Sequence, residues 1–174
     1  MKNEFLEIGR IINKRGISGE LKVECYCDGP ESVKGVKLLY TNPDGKEPMD
    51  VISIKDYKGF LYIKLKGVDS VDKADSLRGT VLYASRNDIA IQDGKSFIVD
   101  LIGLEVKDYT SGKVYGTVHD VFNHGASDVY VVKDSLGNEF YVPAVDDIVV
   151  ETDIEKHILV KPIPGLFDAA EEIK

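Results

Sequence analysis

Apolar and charged positions alternate along much of the chain. In Glu20-Leu21-Lys22-Val23-Glu24-Cys25-Tyr26-Cys27 every odd position is apolar and most even ones are charged. A half-buried antiparallel strand needs this pattern, because successive side chains face opposite sides of the sheet. Gly59-Phe60-Leu61-Tyr62-Ile63-Lys64-Leu65-Lys66 repeats it, with Leu61, Ile63 and Leu65 inward. Shorter apolar runs at 8–12, 36–40, 51–54, 81–83, 101–106, 114–121, 129–132, 140–142 and 157–160 predict further strands. Turn chemistry separates them, in Asn42-Pro43-Asp44-Gly45, Tyr57-Lys58-Gly59, Ser111-Gly112-Lys113 and Ser135-Leu136-Gly137-Asn138. Many short strands at a spacing of roughly 8–12 residues predict an all-β chain of barrels or sandwiches.

One segment breaks the alternation. Val71, Ala74 and Leu77 recur at helical spacing behind Ser70, a good N-cap, and ahead of Gly79, a good C′ residue. The spacing predicts a single short helix near 70–78. The polar, turn-rich run 86–96 divides the strands into two groups, each large enough for a small barrel. The expected organisation is an N-terminal barrel over 1–86, a linker over 87–95, a second barrel over 96–168 and a frayed tail over 169–174.

Composition adds a polarity that the strand pattern does not show. The chain has 174 residues, 43% of them hydrophobic, which is too apolar for disorder. Its 22 basic and 30 acidic residues give a net charge of −8, which argues against a protein that simply coats nucleic acid. Residues 1–86 carry 15 basic and 13 acidic groups, net +2; residues 87–174 carry 7 and 17, net −10. Such halves are suited to different partners. The opening MKNEFLEIGR has no apolar core of a signal peptide, and no run approaches the ~20 apolar residues of a membrane span. With two cysteines only, Cys25 and Cys27, these features point to the cytoplasm.

Catalytic patterns are sparse. Cys25 and Cys27 stand two apart, as small apolar residues facing a core would, with no second cysteine pair to complete a metal site. His119 and His124 lie near Asp120 and Asp128, but strand–turn–strand structure would place the two histidines on opposite faces. Asn123-His124-Gly125-Ala126-Ser127-Asp128 fits better as a turn whose Asn, Ser and Asp satisfy its own backbone. Ser70-Val71-Asp72-Lys73 matches Ser-x-x-Lys without the companion motifs of acyl-transfer enzymes. Asp146 and Asp147 are neighbours and diverge on a strand, whereas paired carboxylate catalysis needs convergence across a cleft. With Glu151, Asp153 and Glu155 they read as a solvated or protein-facing negative stretch. No catalytic residue, metal site or cofactor is expected.

The remaining feature is Gly9-Arg10-Ile11-Ile12-Asn13-Lys14-Arg15-Gly16-Ile17-Ser18-Gly19-Glu20, in which glycines bracket Arg10, Lys14 and Arg15. It reads either as a basic loop against an RNA backbone or as a tight strand connection with incidental charge. Continued through Leu21-Lys22-Val23, it resembles the opening block of the RimM family of ribosome maturation factors, G-x-I-x-x-x-x-G-I-x-G-E-L-K-V. Asp28-Gly29-Pro30-Glu31 is similar to the family's D-x-P-E turn. Gly67-Val68-Asp69 with Ala74, Leu77, Arg78 and Gly79 resembles its helix block, and Leu82-Tyr83 with Arg86 the end of its first domain. In the second half the similar residues are Asp100-Leu101-Ile102-Gly103-Leu104-Glu105-Val106, Gly112, Gly116, Val118, Asp120-Val121, Gly125-Ala126-Ser127-Asp128-Val129, Val142-Pro143, Val145 and Gly165-Leu166-Phe167-Asp168.

The resemblance covers almost the whole chain. It implies a six-stranded translation-factor-like β-barrel followed by a PRC barrel. It also implies a non-enzymatic assembly factor that binds ribosomal protein nineteen of the small-subunit head and promotes maturation of the 3′ head domain of the rRNA. The family often carries two tyrosines just before the Asp-Leu pair, implicated in subunit binding; here the matching stretch is Ser96-Phe97-Ile98-Val99, which keeps one aromatic. The expected protein-binding residues are Phe97, Ile98, Asp100, Leu101, Asp146 and Asp147, and the expected rRNA-facing loop is Arg10, Lys14 and Arg15. A monomer working on the immature small subunit, away from membranes, follows. Two rival classes are a regulatory or small-molecule-binding barrel module, since fold does not fix function, and a hydrolase built around Asp128 or His124.

Overall fold

The structure is a computed structural model, and it describes residues 3–27, 29–91, 96–123 and 125–168. Its contacts divide the chain into two compact units, Met1–Asp93 and Gly94–Lys174. The expected tail, 169–174, lies outside the described residues.

The first unit holds six strands: β1 (Phe5–Arg15), β2 (Glu20–Cys25), β3 (Leu38–Leu39), β4 (Met49–Tyr57), β5 (Phe60–Leu65) and β6 (Val81–Ser85). They pair in the order β3-β4-β5-β2-β1-β6. Tyr40, just past β3, and Tyr83 of β6 exchange two backbone hydrogen bonds of 2.9 and 2.8 Å. That bridge joins the two ends of the sheet, so the barrel leaves no open edge there. The alternation works as the sequence requires: Leu21 faces Ile63 and Val23 faces Leu61 across β2 and β5, all four fully buried. Each such side chain contributes about 1.5–3 kcal/mol relative to an exposed one. Gly9 marks a close crossing, since a Cβ there would lie 2.2 Å from the Glu24 carbonyl oxygen.

Helix α1 (Val71–Ser76) lies between β5 and β6. Ser70 caps it, its Oγ accepting the Lys73 N–H at 3.3 Å. Leu77 is the C-cap, so Gly79, at φ +85°, stands one position later than the expected C′. The β4–β5 hairpin turns through Lys58 and Gly59, both at positive φ, as a two-residue connection between twisted strands demands.

The second unit opens with one helical turn, α2 (Ile98–Leu101), followed by β7 (Glu105–Asp108), β8 (Val114–Asn123), β9 (Asp128–Lys133), β10 (Glu139–Pro143), β11 (Val149–Asp153) and β12 (His157–Val160). The sheet order is β10-β9-β8-β7-β12-β11, with β12 and β7 the parallel pair. Its core gathers Leu101, Val106, Val118, Val132, Phe140, Val142, Ile158 and Val160. Phe167 stacks on Tyr115 at 3.8 Å between ring centroids and meets Phe140 edge-on at 5.4 Å, which ties the segment after β12 to the sheet.

Two expectations are corrected and one unpredicted strand is added. The run 101–106 is not one strand: residues 98–101 are helical and β7 begins at Glu105. The negative stretch contains β11, whose Val149 pairs with Val160 and whose Glu151 pairs with Leu159. The expected linker 87–95 is in part structured. Arg86–Asp88 form a 3-10 turn, Ile89 is buried, and the Ala90 N–H donates to the Ser32 carbonyl at 2.8 Å, so 87–90 belong to the first unit. Residues 92–95 lie outside the described residues.

Candidate functional site

In the first unit the glycine-bracketed block and the helix block, about fifty residues apart in sequence, form one cluster. Arg10, Lys14 and Arg15 stand on β1 itself, paired in register with Glu24, Leu21 and Glu20. They are therefore strand residues rather than the loop expected from the glycines; the loop is 16–19. Lys14 bonds to Asp75 of α1, Arg78 donates from Nε to the Ile12 carbonyl at 3.1 Å, and the Gly79 N–H donates to the Ile11 carbonyl at 2.7 Å. Lys64 donates to the carbonyls of Ser18 and Val68, clamping the turn against the entry to α1. Ile17, at the tip of that turn, is 88% exposed.

Arg15 is engaged twice: Nε lies 3.8 Å from the Glu20 carboxylate and the guanidinium sits over the Tyr62 ring at 4.3 Å. Lys22 sits over Phe60 at 3.8 Å. These aromatics escape a reading of the sequence because Phe60 and Tyr62 occupy the polar phase of an alternating strand; that misplacement is the available signal. Arg10 is exposed.

In the second unit the predicted protein-binding residues differ in exposure. Ile98 and Val99, with Ile102 just past α2, are exposed at 39%, 46% and 43%. Leu101 turns the other way, only 3% exposed, into the core. As a surface anchor Leu101 is therefore corrected: a helical turn sends adjacent residues to different sides, and Val99 and Ile102 carry the apolar face with Ile98. Phe97, partly buried, holds the N-cap position, and its carbonyl accepts the Asp100 N–H at 2.9 Å. Asp146 and Asp147 are exposed in the turn between β10 and β11, apart in sequence from α2. Asp153 is committed to its own turn: its carboxylate accepts the Glu155 N–H at 2.9 Å and pairs with Lys156 at 3.3 Å. That backbone bond, aided by Lys156, lowers its pKa. A cleft of ≈600 Å³ lies beside the Tyr115–Phe167 stack, bordered by Lys113, Lys133 and Asp134.

Cys25 and Cys27 are half-buried and set among polar contacts rather than simply packed: Cys27 Sγ lies 3.5 Å from the Ile8 carbonyl oxygen and Cys25 Sγ 3.9 Å from that of Cys27. The hydrogen bond from the Cys27 side chain outweighs burial and holds the Cys25 thiol down at about 6. Alkylation of Cys25 by iodoacetamide should accordingly rise through a midpoint near pH 6. In Cys27→Ala the midpoint should move up towards the ordinary thiol range; a midpoint unmoved by that change would contradict the hydrogen bond as cause. Among the described residues no group of three His, Cys, Asp or Glu side chains is placed to hold a metal ion. His124 lies outside the described residues; His119 is exposed on β8. Asn123 spans the turn, donating to Asp128 at 2.7 Å and accepting the Gly125 N–H at 2.6 Å. No helix among the described residues is long and apolar enough to cross a membrane.

Comparison with known proteins accounts for both units. The family model of the RimM N-terminal domain matches residues 6–89, and that of the RimM PRC barrel domain matches residues 98–166. The chain is 37% identical over 168 residues to the ribosome maturation factor RimM of Ruminiclostridium cellulolyticum, covering 95% of this chain and 99% of the relative. It is 37% identical over 170 residues to that of Clostridioides difficile, covering 96% and 98%. The solution structure of the N-terminal domain of RimM from Thermus thermophilus matches 50% of this chain and 95% of its own at 23% identity, with a TM-score of 0.42. The chain belongs to the RimM family of ribosome maturation factors.

Proposed function

We propose that the chain is a non-enzymatic assembly factor for the small ribosomal subunit, placed between rRNA and a basic ribosomal protein. The observation that supports this is the charge division of a RimM-family chain: net +2 over residues 1–86 and net −10 over 87–174. Ribosomal protein nineteen of the head is the proposed partner of the second unit. An acidic surface attracts such a protein and competes with RNA for its cations. The exposed Ile98, Val99 and Ile102, with Phe97 and Asp100, supply the apolar contact, and Asp146 and Asp147 the charge. The first unit, through Arg10 and Arg15, faces the rRNA. By binding one conformation of the immature 3′ head domain more tightly than the mature one, the factor favours maturation and then leaves. It works as a monomer in the cytoplasm and needs no cofactor.

The test is co-sedimentation of the full chain with immature and mature small subunits, together with titration against the isolated ribosomal protein. Association with immature subunits alone is expected; ligand-dependent melting shifts without ribosomal association would favour a small-molecule-binding module instead. Changing Asp146, Asp147 and Glu151 together to Asn and Gln, and leaving Asp153 to hold its turn, should weaken binding to the isolated protein about tenfold at low salt and flatten its salt dependence. Affinity indifferent to salt in the unmodified chain would sink the steering argument. Arg10→Ala with Arg15→Ala should reduce association with immature subunits and leave binding to the isolated protein intact. Loss of both would contradict the division of labour. Lys14 is held by Asp75, so Lys14→Ala should mainly loosen α1 and change subunit binding less.

A further inference from the structure

We propose that the outward face of β1, β2, β5 and β4 is a platform for unpaired RNA, on which bases stack while a row of cations meets the phosphates. The proposal rests on the reading of the first unit as the RNA-facing half and gives that half a definite surface and ligand.

The register builds the face. One row across the sheet runs Arg10, Glu24, Phe60, Tyr57; the next runs Asn13, Lys22, Tyr62, Lys55. Arg15 with Glu20 continues it, while Lys64, opposite Ser53, is committed to the Ser18 and Val68 carbonyls. Within these rows four cations thus stand against two carboxylates on a chain whose net charge is −8, and one of those carboxylates, Glu20, is paired with Arg15. The remaining one, Glu24, lies between Arg10 and Phe60.

The aromatic rings select among polyanions. Three of them interleave with the cations: Lys22 lies 3.8 Å from the Phe60 centroid, Arg15 4.3 Å from that of Tyr62, and Lys58 5.3 Å from that of Tyr57. Tyr62 is buried and serves as the support that holds the Arg15 guanidinium in place. Tyr57 is 54% exposed, a ring at the end of a tight hairpin with area to offer. An acidic peptide would use the charges and leave the rings idle. A duplex presents phosphates, but its bases are already stacked on one another. Unpaired RNA supplies both phosphates and free π-faces, and bases stack on tyrosine and on guanidinium planes alike.

The experiment measures binding of the full chain, by fluorescence anisotropy, to a single-stranded RNA of about twelve nucleotides and to a hairpin duplex of the same composition. The single strand should bind more tightly. Tyr57→Ala should weaken single-strand binding about tenfold and leave duplex binding unchanged, while Tyr57→Phe, which keeps the ring, should bind as the parent does. Lys22→Gln with Lys55→Gln should lower the salt slope for the single strand by about 1.4, since each phosphate contact contributes about 0.7. Unchanged melting of each variant separates these effects from loss of fold. Equal affinity for strand and duplex, or a Tyr57→Ala variant indistinguishable from the parent, would overturn the platform. If the platform fails while the Arg10 and Arg15 changes still impair association with immature subunits, the RNA-facing reading of the first unit survives. If those changes are also silent, that reading falls with it.

Discussion

Gly19→Ala should destabilise the first unit by about 2–4 kcal/mol, the sum of a left-handed backbone that costs an L-residue about 1–2 kcal/mol and a clash with main chain. Gly19 sits at φ +78°, where a Cβ would lie 2.6 Å from the Val68 carbonyl oxygen and 2.9 Å from its carbon. Neither atom is free to retreat. The Val68 oxygen accepts a hydrogen bond from Lys64 at 2.7 Å, and two residues on, Ser70 caps α1. Moving the turn outward instead would break the bond from Lys64 to Ser18. Gly16→Ala provides the control: it has φ +66° with nothing within 4 Å of the added carbon, so it should show the backbone term alone. Urea unfolding followed by hydrogen exchange, read separately for the two units, distinguishes a local loss from a global one. Equal destabilisation by the two substitutions would show that the close approach to Val68 carries no energy.

This turn also explains why the opening block and the helix block are readable together. Gly16 and Gly19 serve the geometric demands of one hairpin, and that hairpin is held by residues 64–79. A pattern set by backbone shape and packing is strict, and so the resemblance was legible at both places. The period-two strands were legible for a similar reason, because a barrel that buries one face of β2 and β5 forces Leu21, Val23, Leu61 and Ile63 into phase. The Ser70 cap was equally plain, since an N-cap is a local hydrogen bond.

Other features depend on what the chain meets far away in sequence. β11 was hidden because it ends its sheet, beside β12; an edge strand tolerates charge, and Glu151 and Asp153 masked the apolar Val149. The inward turn of Leu101 was hidden because a four-residue helix is too short to display a period. Ile89 looked like linker, yet a single apolar residue is enough to pin a 3-10 turn to the barrel when Ala90 also reaches Ser32. For the candidate surfaces, residue type predicted charge correctly and exposure less well. Arg15 and Lys14 were visible as cations, but their engagement by Tyr62, Glu20 and Asp75 required the fold.

The second large effect is expected at the aromatic cluster that closes the second unit. Phe140→Ala should cost about 3–5 kcal/mol, the range for a buried phenylalanine, because its ring is almost fully enclosed among Val118, Val132 and Val142. Phe167→Ala, at a partly exposed site, should cost about 2–3 kcal/mol by the same transfer and cavity argument. Phe167 is nevertheless the more informative position. It lies parallel to Tyr115, 3° between ring planes, and Tyr115 in turn donates its hydroxyl to Asp108 at 2.9 Å. Removing the Phe167 ring therefore releases the segment after β12 and one restraint on the β7–β8 hairpin together. A double-mutant cycle of Phe140 and Phe167 should show a coupling of about 0.5–1.5 kcal/mol, the range for an edge-to-face pair. If the two losses add without coupling, Phe167 rests on the barrel without bracing it, and the terminal Gly-Leu-Phe-Asp block must owe its place in the family pattern to something other than the packing of this core.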